Sequence, residues 1–375
     1  MIKLPEGSRR RRLAIAGILY ALSTIVFLIC AAQDTLHGHT PYNHFALLAD
    51  AFRHGRLDLA APPPAYTGNN DFARFGGKWF VVFPPFPALL LVPLTWLAGS
   101  AERVRDGQFF LWLAGLTPAC LFLALEKLRR FGRAATREWH GVLLSVLFAF
   151  GTVYFFSSEQ GTVWYAAHVV GAALAALYLL FALEAERPLL AGIALGLGLA
   201  TRAPLLFAFP LFALEAVRVR TADAEAWQAG SVRRVLSSLA YKRLALDLLL
   251  FALPIACVLG ASFVYNQKRF GSPFEVGYRF LGIAWQTRIE KWGLFSYHYL
   301  GKNLAVVLTG LPFRNPDGTW QVNAHGLALW LTTPLYLWLL WPRRRSAPQL
   351  ALWLTVVCVA LPGLLYQNTG WLQFG

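Results

Sequence analysis

Residues 40–87 read TPYNHFALLADAFRHGRLDLAAPPPAYTGNNDFARFGGKWFVVFPPFP. This polar stretch lies between an apolar run at 13–32 and a second apolar segment at 80–99, and its reading decides the fold. It places Asp50, Asp58, Asp71 and Arg74 in a very apolar chain. Phe45, Leu48, Ala49 and Phe52 fall at i, i+3, i+4 and i+7, one apolar stripe of a helix, with Asn43, Asp50 and His54 on the opposite face. Such a helix lies along a membrane surface. Thr40 reads as its N-cap and Pro41 as its first residue. Gly55 ends it. The prolines at 62–64 break any helix, and Gly68-Asn69-Asn70 turns the chain toward Asp71.

The rest of the sequence gives that stretch its setting. The 375 residues are 57% hydrophobic and 14% charged, against about 25% charged in a soluble domain. Several runs reach the roughly 18 apolar residues that cross a bilayer core about 30 Å thick. No alternating ten-residue segments suggest a β-barrel. The expected class is an all-α polytopic membrane protein. The net charge of +15 sits at 9–12, 218–242 and 343–345, between apolar runs. That is the Lys/Arg excess that fixes cytoplasmic loops, so no nucleic-acid partner is expected. Cys30, Cys120, Cys257 and Cys358 each stand alone in apolar sequence and form neither a disulfide nor a zinc framework.

The candidate spans are 13–32, 80–99, 108–126, 140–157, 163–183, 188–217, 244–265, 326–342 and 350–366. Residues 188–217 can also be read as two short helices about Thr201-Arg202, giving about nine or ten transmembrane helices. The first span is uncleaved, with a cytoplasmic N-terminus. Residues 33–79 then form a first outer loop carrying the amphipathic helix, 218–243 a cytoplasmic loop and 267–325 an outer loop, all within one domain over 1–375. Counted this way, Lys127, Arg129, Arg130, Arg133 and Arg137 fall outside, against the charge rule. Either 80–99 does not cross fully or 188–217 crosses twice. The sequence ends in GWLQFG immediately after an apolar run, a pattern that reads as continuing beyond Gly375.

Five groups of residues could carry chemistry. Asp71 and Arg74, followed by Gly76-Gly77-Lys78, combine a carboxylate that neighbouring cations keep ionised with glycines that admit a ligand close to the backbone. Asp34 with His37, His39 and His44 lacks the paired spacing of a zinc site, and no metal ligands are assigned. Glu159 lies in SSEQGT at 157–162, followed by Trp164 and His168; a Glu between apolar spans faces an interface or a cavity. Arg202 interrupts an otherwise apolar run, and its guanidinium suits a phosphate. Lys268, Arg269 and Arg279 could clamp a phosphate or diphosphate, beside Trp285, Trp292, Tyr297 and Tyr299, which suit a membrane belt. No Walker loop or dinucleotide fingerprint is present.

The motifs YNHFALLADAFRHGRLDL, GGKWFVVFPPFPALLLVP, GIALGLGLATRAP and YNQKRFGSPFEVGYR resemble bacterial membrane glycosyltransferases of the GT-C fold, the broad group that includes protein O-mannosyltransferases and lipid A aminoarabinose transferases. The resemblance covers nearly the whole chain as layout plus short motifs. It implies a GT-C-like bundle in the bacterial inner membrane, working on the periplasmic side. The donor would be a polyprenyl-phosphate-linked sugar and the acceptor a glycan, lipid or protein. It implies an acidic base in the first outer loop: Asp71 first, then Asp34 and Asp50. The Asp-Glu pair common in such proteins is replaced here by Thr40-Pro41-Tyr42-Asn43. The cations for the leaving phosphate would be Arg202, Lys268, Arg269 and Arg279, with Arg74, Lys78 and Glu159 also contacting substrate. No nucleotide is needed, no cofactor is assigned, and a divalent metal is left open. A membrane transporter or lipid flippase of envelope precursors is the alternative, though the matching halves of a transporter are not seen.

Overall fold

The computed structural model describes residues 7–68, 71–228, 231–283, 285–341 and 347–369. The GWLQFG ending and the Asn69-Asn70 part of the expected turn lie outside the described residues. Four helical stretches are long and apolar enough to cross a membrane. They are α1 (Arg9–Cys30), the nearly continuous pair α5 (Asp106–Ala114) and α6 (Leu116–Arg130), α9 (Val163–Ala182) with a short extension, and α14 (Tyr241–Phe270). At about 1.5 Å per residue, the 22 residues of α1 reach about 33 Å, enough for the hydrocarbon core. A fifth crossing is bent by 57°: α7 (Glu138–Phe150) and α8 (Val153–Gln160), which meet at Gly151-Thr152. The protein is therefore an all-α, multi-pass membrane protein.

The remaining apolar helices are shorter: α4 (Phe86–Ala98), α10 (Pro188–Leu199) and α18 (Ala347–Leu364). The run at 326–342 does not form one helix. It makes a turn of α-helix, Leu329–Thr332, and then a 3-10 stretch, Pro334–Leu340. Pro334 forces Thr333 out of helical geometry, to φ −141° and ψ 78°, which interrupts the span there.

One end of the bundle is tied by ion pairs. Arg11 of α1 meets Glu138 of α7 at 2.7 Å. Lys127 of α6 reaches Glu186 at 2.8 Å, and Arg133 reaches Glu184 at 3.1 Å. Arg218, in α11 (Phe209–Arg220), binds both Glu184 and Glu215 at 2.8 Å, and Arg220 binds Asp247 of α14 at 2.6 Å. The N-terminus, the 131–137 connection, the α9–α10 connection and the 221–240 segment thus share this end.

That network resolves the topology left open above. Residues 188–217 enter from the basic end and return to it as a helical hairpin that turns at Thr201-Arg202. Each arm has 12 α-helical residues, about 18 Å. Residues 80–99 do not make a crossing. The N–H of Phe86 donates to the carbonyl of Ala200 beside the hairpin turn, and Arg53 donates to the carbonyls of Thr95 and Gly99 at the other end of α4. Both ends of α4 therefore stay away from the basic end. With these two changes the cations at 127–137 fall on the same side as the other basic loops.

The described residues of 33–79, expected as a first outer loop, fold against the opposite end. A short helix, α2 (Gln33–His37), leads into it. The expected amphipathic helix is α3 (His44–Arg53), with Phe45, Leu48 and Ala49 buried. It starts three residues later than a Thr40 cap implies, because Asp106 claims Thr40 instead: the Thr40 N–H donates to Oδ1 at 2.8 Å and its hydroxyl to Oδ2 at 2.7 Å. The first turn is covered as well, with Asn43 and His44 at 0% exposure.

Residues 72–81 form an antiparallel hairpin, β1 (Phe72–Phe75) and β2 (Lys78–Val81). Gly76 and Gly77 supply its turn with φ of 57° and 77°. Positive φ at both central residues suits a two-residue hairpin, so these glycines turn the chain rather than admit a ligand. Phe72 and its partner Val81 face the α3–α4 core, and Ala73 and its partner Phe80 face Phe270 and Leu281. The hairpin is thus clasped between the first outer loop and the segment after α14.

Candidate functional site

Asp71 sits immediately before β1, with φ +58°. A left-handed backbone is unusual for a residue with a side chain, and Asp and Asn tolerate it better than most. The conformation aims the carboxylate back toward the start of α9, where Trp164 Nε1–H donates to Asp71 Oδ2 at 2.8 Å. Trp164 is held in turn by Tyr42, ring centroids 4.6 Å apart, and the Val163 N–H donates to the Tyr42 carbonyl. His44 stacks on Phe72 at 4.3 Å and 13°.

Two tyrosines from distant parts of the chain complete the surroundings. Tyr278 follows Gly277, whose φ is +96° and whose Cα lies against Phe270; a Cβ there would come within 2.6 Å of that ring. Only glycine fits, and this close approach sets the path of Tyr278. Tyr366 follows α18. It is fixed by Asn303, whose side-chain amide donates to the Leu364 and Tyr366 carbonyls at 2.9 Å, and by the Ser296 N–H donating to Leu365. The two tyrosine hydroxyls influence each other, and both lie within electrostatic reach of Asp71 and of Arg202 at the hairpin turn.

Burial pushes the Asp71 carboxyl above its ordinary value, while the Trp164 hydrogen bond and the charge of His44 pull it back down. Burial also raises the Tyr278 and Tyr366 hydroxyls, and the Asp71 charge adds to both shifts. A partly buried carboxylate with one oxygen anchored and a raised pKa can accept a proton near neutral pH. Neutral hydroxyls beside it can orient a polar ligand, and a guanidinium across from it can hold an anion.

The other candidate residues have different surroundings. Asp34 is exposed in α2. Asp50 pairs with Arg53 at 3.0 Å and with His54 at 3.6 Å. Lys78 pairs with Asp58 at 3.2 Å, and Arg74 lies over the Trp79 ring at 5.5 Å. Glu159 is partly buried near the end of α8. The expected clamp of Lys268, Arg269 and Arg279 is not what these side chains form. Arg269 donates to the Val81 carbonyl at 2.8 Å and to Asn266 at 3.1 Å, under the ring of Tyr265, so it fastens α14 to the hairpin. Arg279 pairs with Glu275 at 2.7 Å, and Lys268 is exposed. His37 and His39 bond backbone carbonyls. Among the described residues no three His, Cys, Asp or Glu side chains converge as metal ligands.

Of the site, Asp71 and Arg202 stand out in sequence as charges in unlikely places. Tyr366 carries no such signal, because nothing local distinguishes it from the many aromatics of an apolar chain. Asp106, which pins Thr40, is likewise silent in sequence.

No family model matches the chain, and neither does any curated protein. Among solved structures it is similar to the oligosaccharyltransferase of Archaeoglobus fulgidus in its apo form, with a TM-score of 0.54 and 15% sequence identity. The match covers 95% of this chain and 48% of that one, so this chain spans about half the length of that enzyme. At that identity the likeness is one of fold: the chain has a GT-C-like arrangement of helices.

Proposed function

We propose that this protein is a glycosyltransferase that moves a sugar from a polyprenyl-phosphate-linked donor to a glycan, lipid or protein acceptor. The end of the bundle that holds Asp71 faces outward from the cytoplasmic membrane of a bacterium, since the opposite end carries the clustered cations. The observation that carries this reading is Asp71 itself: a carboxylate anchored through one oxygen to Trp164, at the same end as the arginine that turns the α10–α11 hairpin. The fold likeness to an enzyme named for transferring oligosaccharides supports the reaction class.

In the reaction, Asp71 Oδ1 takes the proton of the acceptor nucleophile, while Oδ2 stays with Trp164. The acceptor atom forms a bond to the anomeric carbon as the bond from that carbon to the phosphate oxygen breaks. The electron pair leaves on the lipid phosphate, whose added negative charge Arg202 stabilises. Arg202 acts from the apolar hairpin, where few solvent dipoles compete with its field. Tyr278 and Tyr366, with raised hydroxyl pKa values, stay neutral and donate hydrogen bonds to the sugar or the phosphate.

The test uses membrane vesicles containing the full chain, supplied with labelled polyprenyl-phosphate sugars. Transfer should fall by about 10² to 10⁴ in Asp71→Asn, the usual span for loss of a general base, with folding preserved. Full transfer in that variant would remove Asp71 from the mechanism. Movement of the donor across the vesicle membrane without transfer would support a flippase instead.

A further inference from the structure

A second feature at the same end of the bundle is unrelated to Asp71. Between the end of α4 and the start of α5 lies a groove of about 380 Å³. Its lining combines apolar side chains, Leu94, Leu97 and Trp112 among them, with the polar Arg103, Arg105 and Gln108. The local backbone explains the mixture. Residues 103–105 run into an extended conformation, with Val104 at φ −79° and ψ 126°. Alternation then sends Val104 inward, into the core that also holds Phe45, Leu91 and Phe110, and sends both arginines outward.

Arg103 and Arg105 have no ion pair and no side-chain hydrogen bond among the described residues. The nearby Glu102 does not line the groove; its charge acts on Tyr66. The apolar lining is exposed, Leu97 by 85% and Trp112 by 49%, and Trp112 lies on the Asp106–Arg130 stretch that is apolar enough to cross a membrane. The arginines immediately precede the first residue of the Asp106–Arg130 crossing, which is headgroup depth. Two unpaired guanidinium groups beside a greasy lining at that depth complement a phosphodiester with an acyl chain beneath it.

We infer that this groove binds one anionic phospholipid, its headgroup phosphate between Arg103 and Arg105 and one acyl chain along Leu94, Leu97 and Trp112. The inference does not depend on the proposed transferase reaction. The lipid would act as a fixed annular ligand that holds the end of α4 against α5.

The test is native mass spectrometry of the full chain in detergent, titrated with phosphatidylglycerol or with phosphatidylcholine. One phosphatidylglycerol should be retained in preference to phosphatidylcholine. Arg103→Gln combined with Arg105→Gln should weaken that retention roughly ten-fold or more, given the usual contribution of each cation at an anionic surface. Lys242→Gln combined with Arg243→Gln, exposed at the basic end, should leave it unchanged. Equal retention of the two lipids by the wild-type chain would overturn the inference without recourse to any variant. So would unaltered phosphatidylglycerol binding in the Arg103/Arg105 variant, or displacement of the lipid by millimolar inorganic phosphate, which would mark a site for soluble anions.

Discussion

The two ends of the bundle handle charge in opposite ways. At the basic end nearly every buried charge has a partner: Glu126, Lys127, Glu215 and Asp247 are almost fully covered, and each is paired within 2.9 Å. At the other end, among the described residues, Asp71 has the indole hydrogen bond of Trp164 and no cation within ion-pair distance. Removing one partner of a buried pair leaves an uncompensated charge in a medium that solvates it poorly. Removing a carboxylate that burial already disfavours strands no charge, only the neutral Trp164 indole N–H. The first end is built to hold helices together, and the second keeps a group short of the solvation it would have in water.

Several substitutions would break or sharpen that contrast. Glu215→Ala should cost the most stability, roughly 3 kcal/mol, seen as a lower unfolding temperature of the detergent-solubilised chain, with transfer per folded molecule unchanged. Asp71→Asn should reverse the pattern, with stability within about 1 kcal/mol of wild type and transfer lost. Arg269→Ala, which releases the Val81 carbonyl and uncovers Tyr265, should cost about 2 kcal/mol and speed amide exchange in β2. Trp164→Phe should lower transfer about ten-fold, a modest share of the full general-base effect. Because the indole N–H holds the Asp71 carboxyl down, its loss raises that pKa further, and the acid limb of the pH–rate profile should move upward. Arg279→Gln should change stability by less than about 0.5 kcal/mol, since the Arg279 side chain is 69% exposed.

Acid should also separate the two ends. The folded-state pKa of Asp71 lies above its ordinary 3.8. Between those values the folded chain binds more protons than the unfolded one, so this group's contribution to stability rises as pH falls through the folded value. Glu186, held down by Lys127 from its ordinary 4.5, does the reverse. Its contribution is present above 4.5 and is lost as pH falls through its lowered value. Comparing acid unfolding of Asp71→Asn and Glu186→Gln with wild type would give slopes of opposite sign.

The membrane class, most crossing segments and two of the site's charges were legible in the sequence, because apolar length and misplaced charge are local signals. The hairpin at 72–81 was not read from the sequence, where Gly76-Gly77 suggests a close ligand approach and the adjoining apolar run at 80–99 reads as a span. The extra cations Arg269 and Arg279 misled for the opposite reason. A sequence displays a charge but not its partner, and Val81 and Glu275 already occupy them. Tyr366 and Trp164 reach Asp71 only through the packing of segments far apart in sequence. No spacing encodes that.

The left-handed backbone of Asp71 also constrains how this position can vary over evolutionary time. Besides aspartate, only asparagine and glycine are at ease there, and both lie a single nucleotide change away. Neither can take a proton from a hydroxyl. Under the proposed transferase reading, drift at this codon keeps the backbone at ease while removing the base.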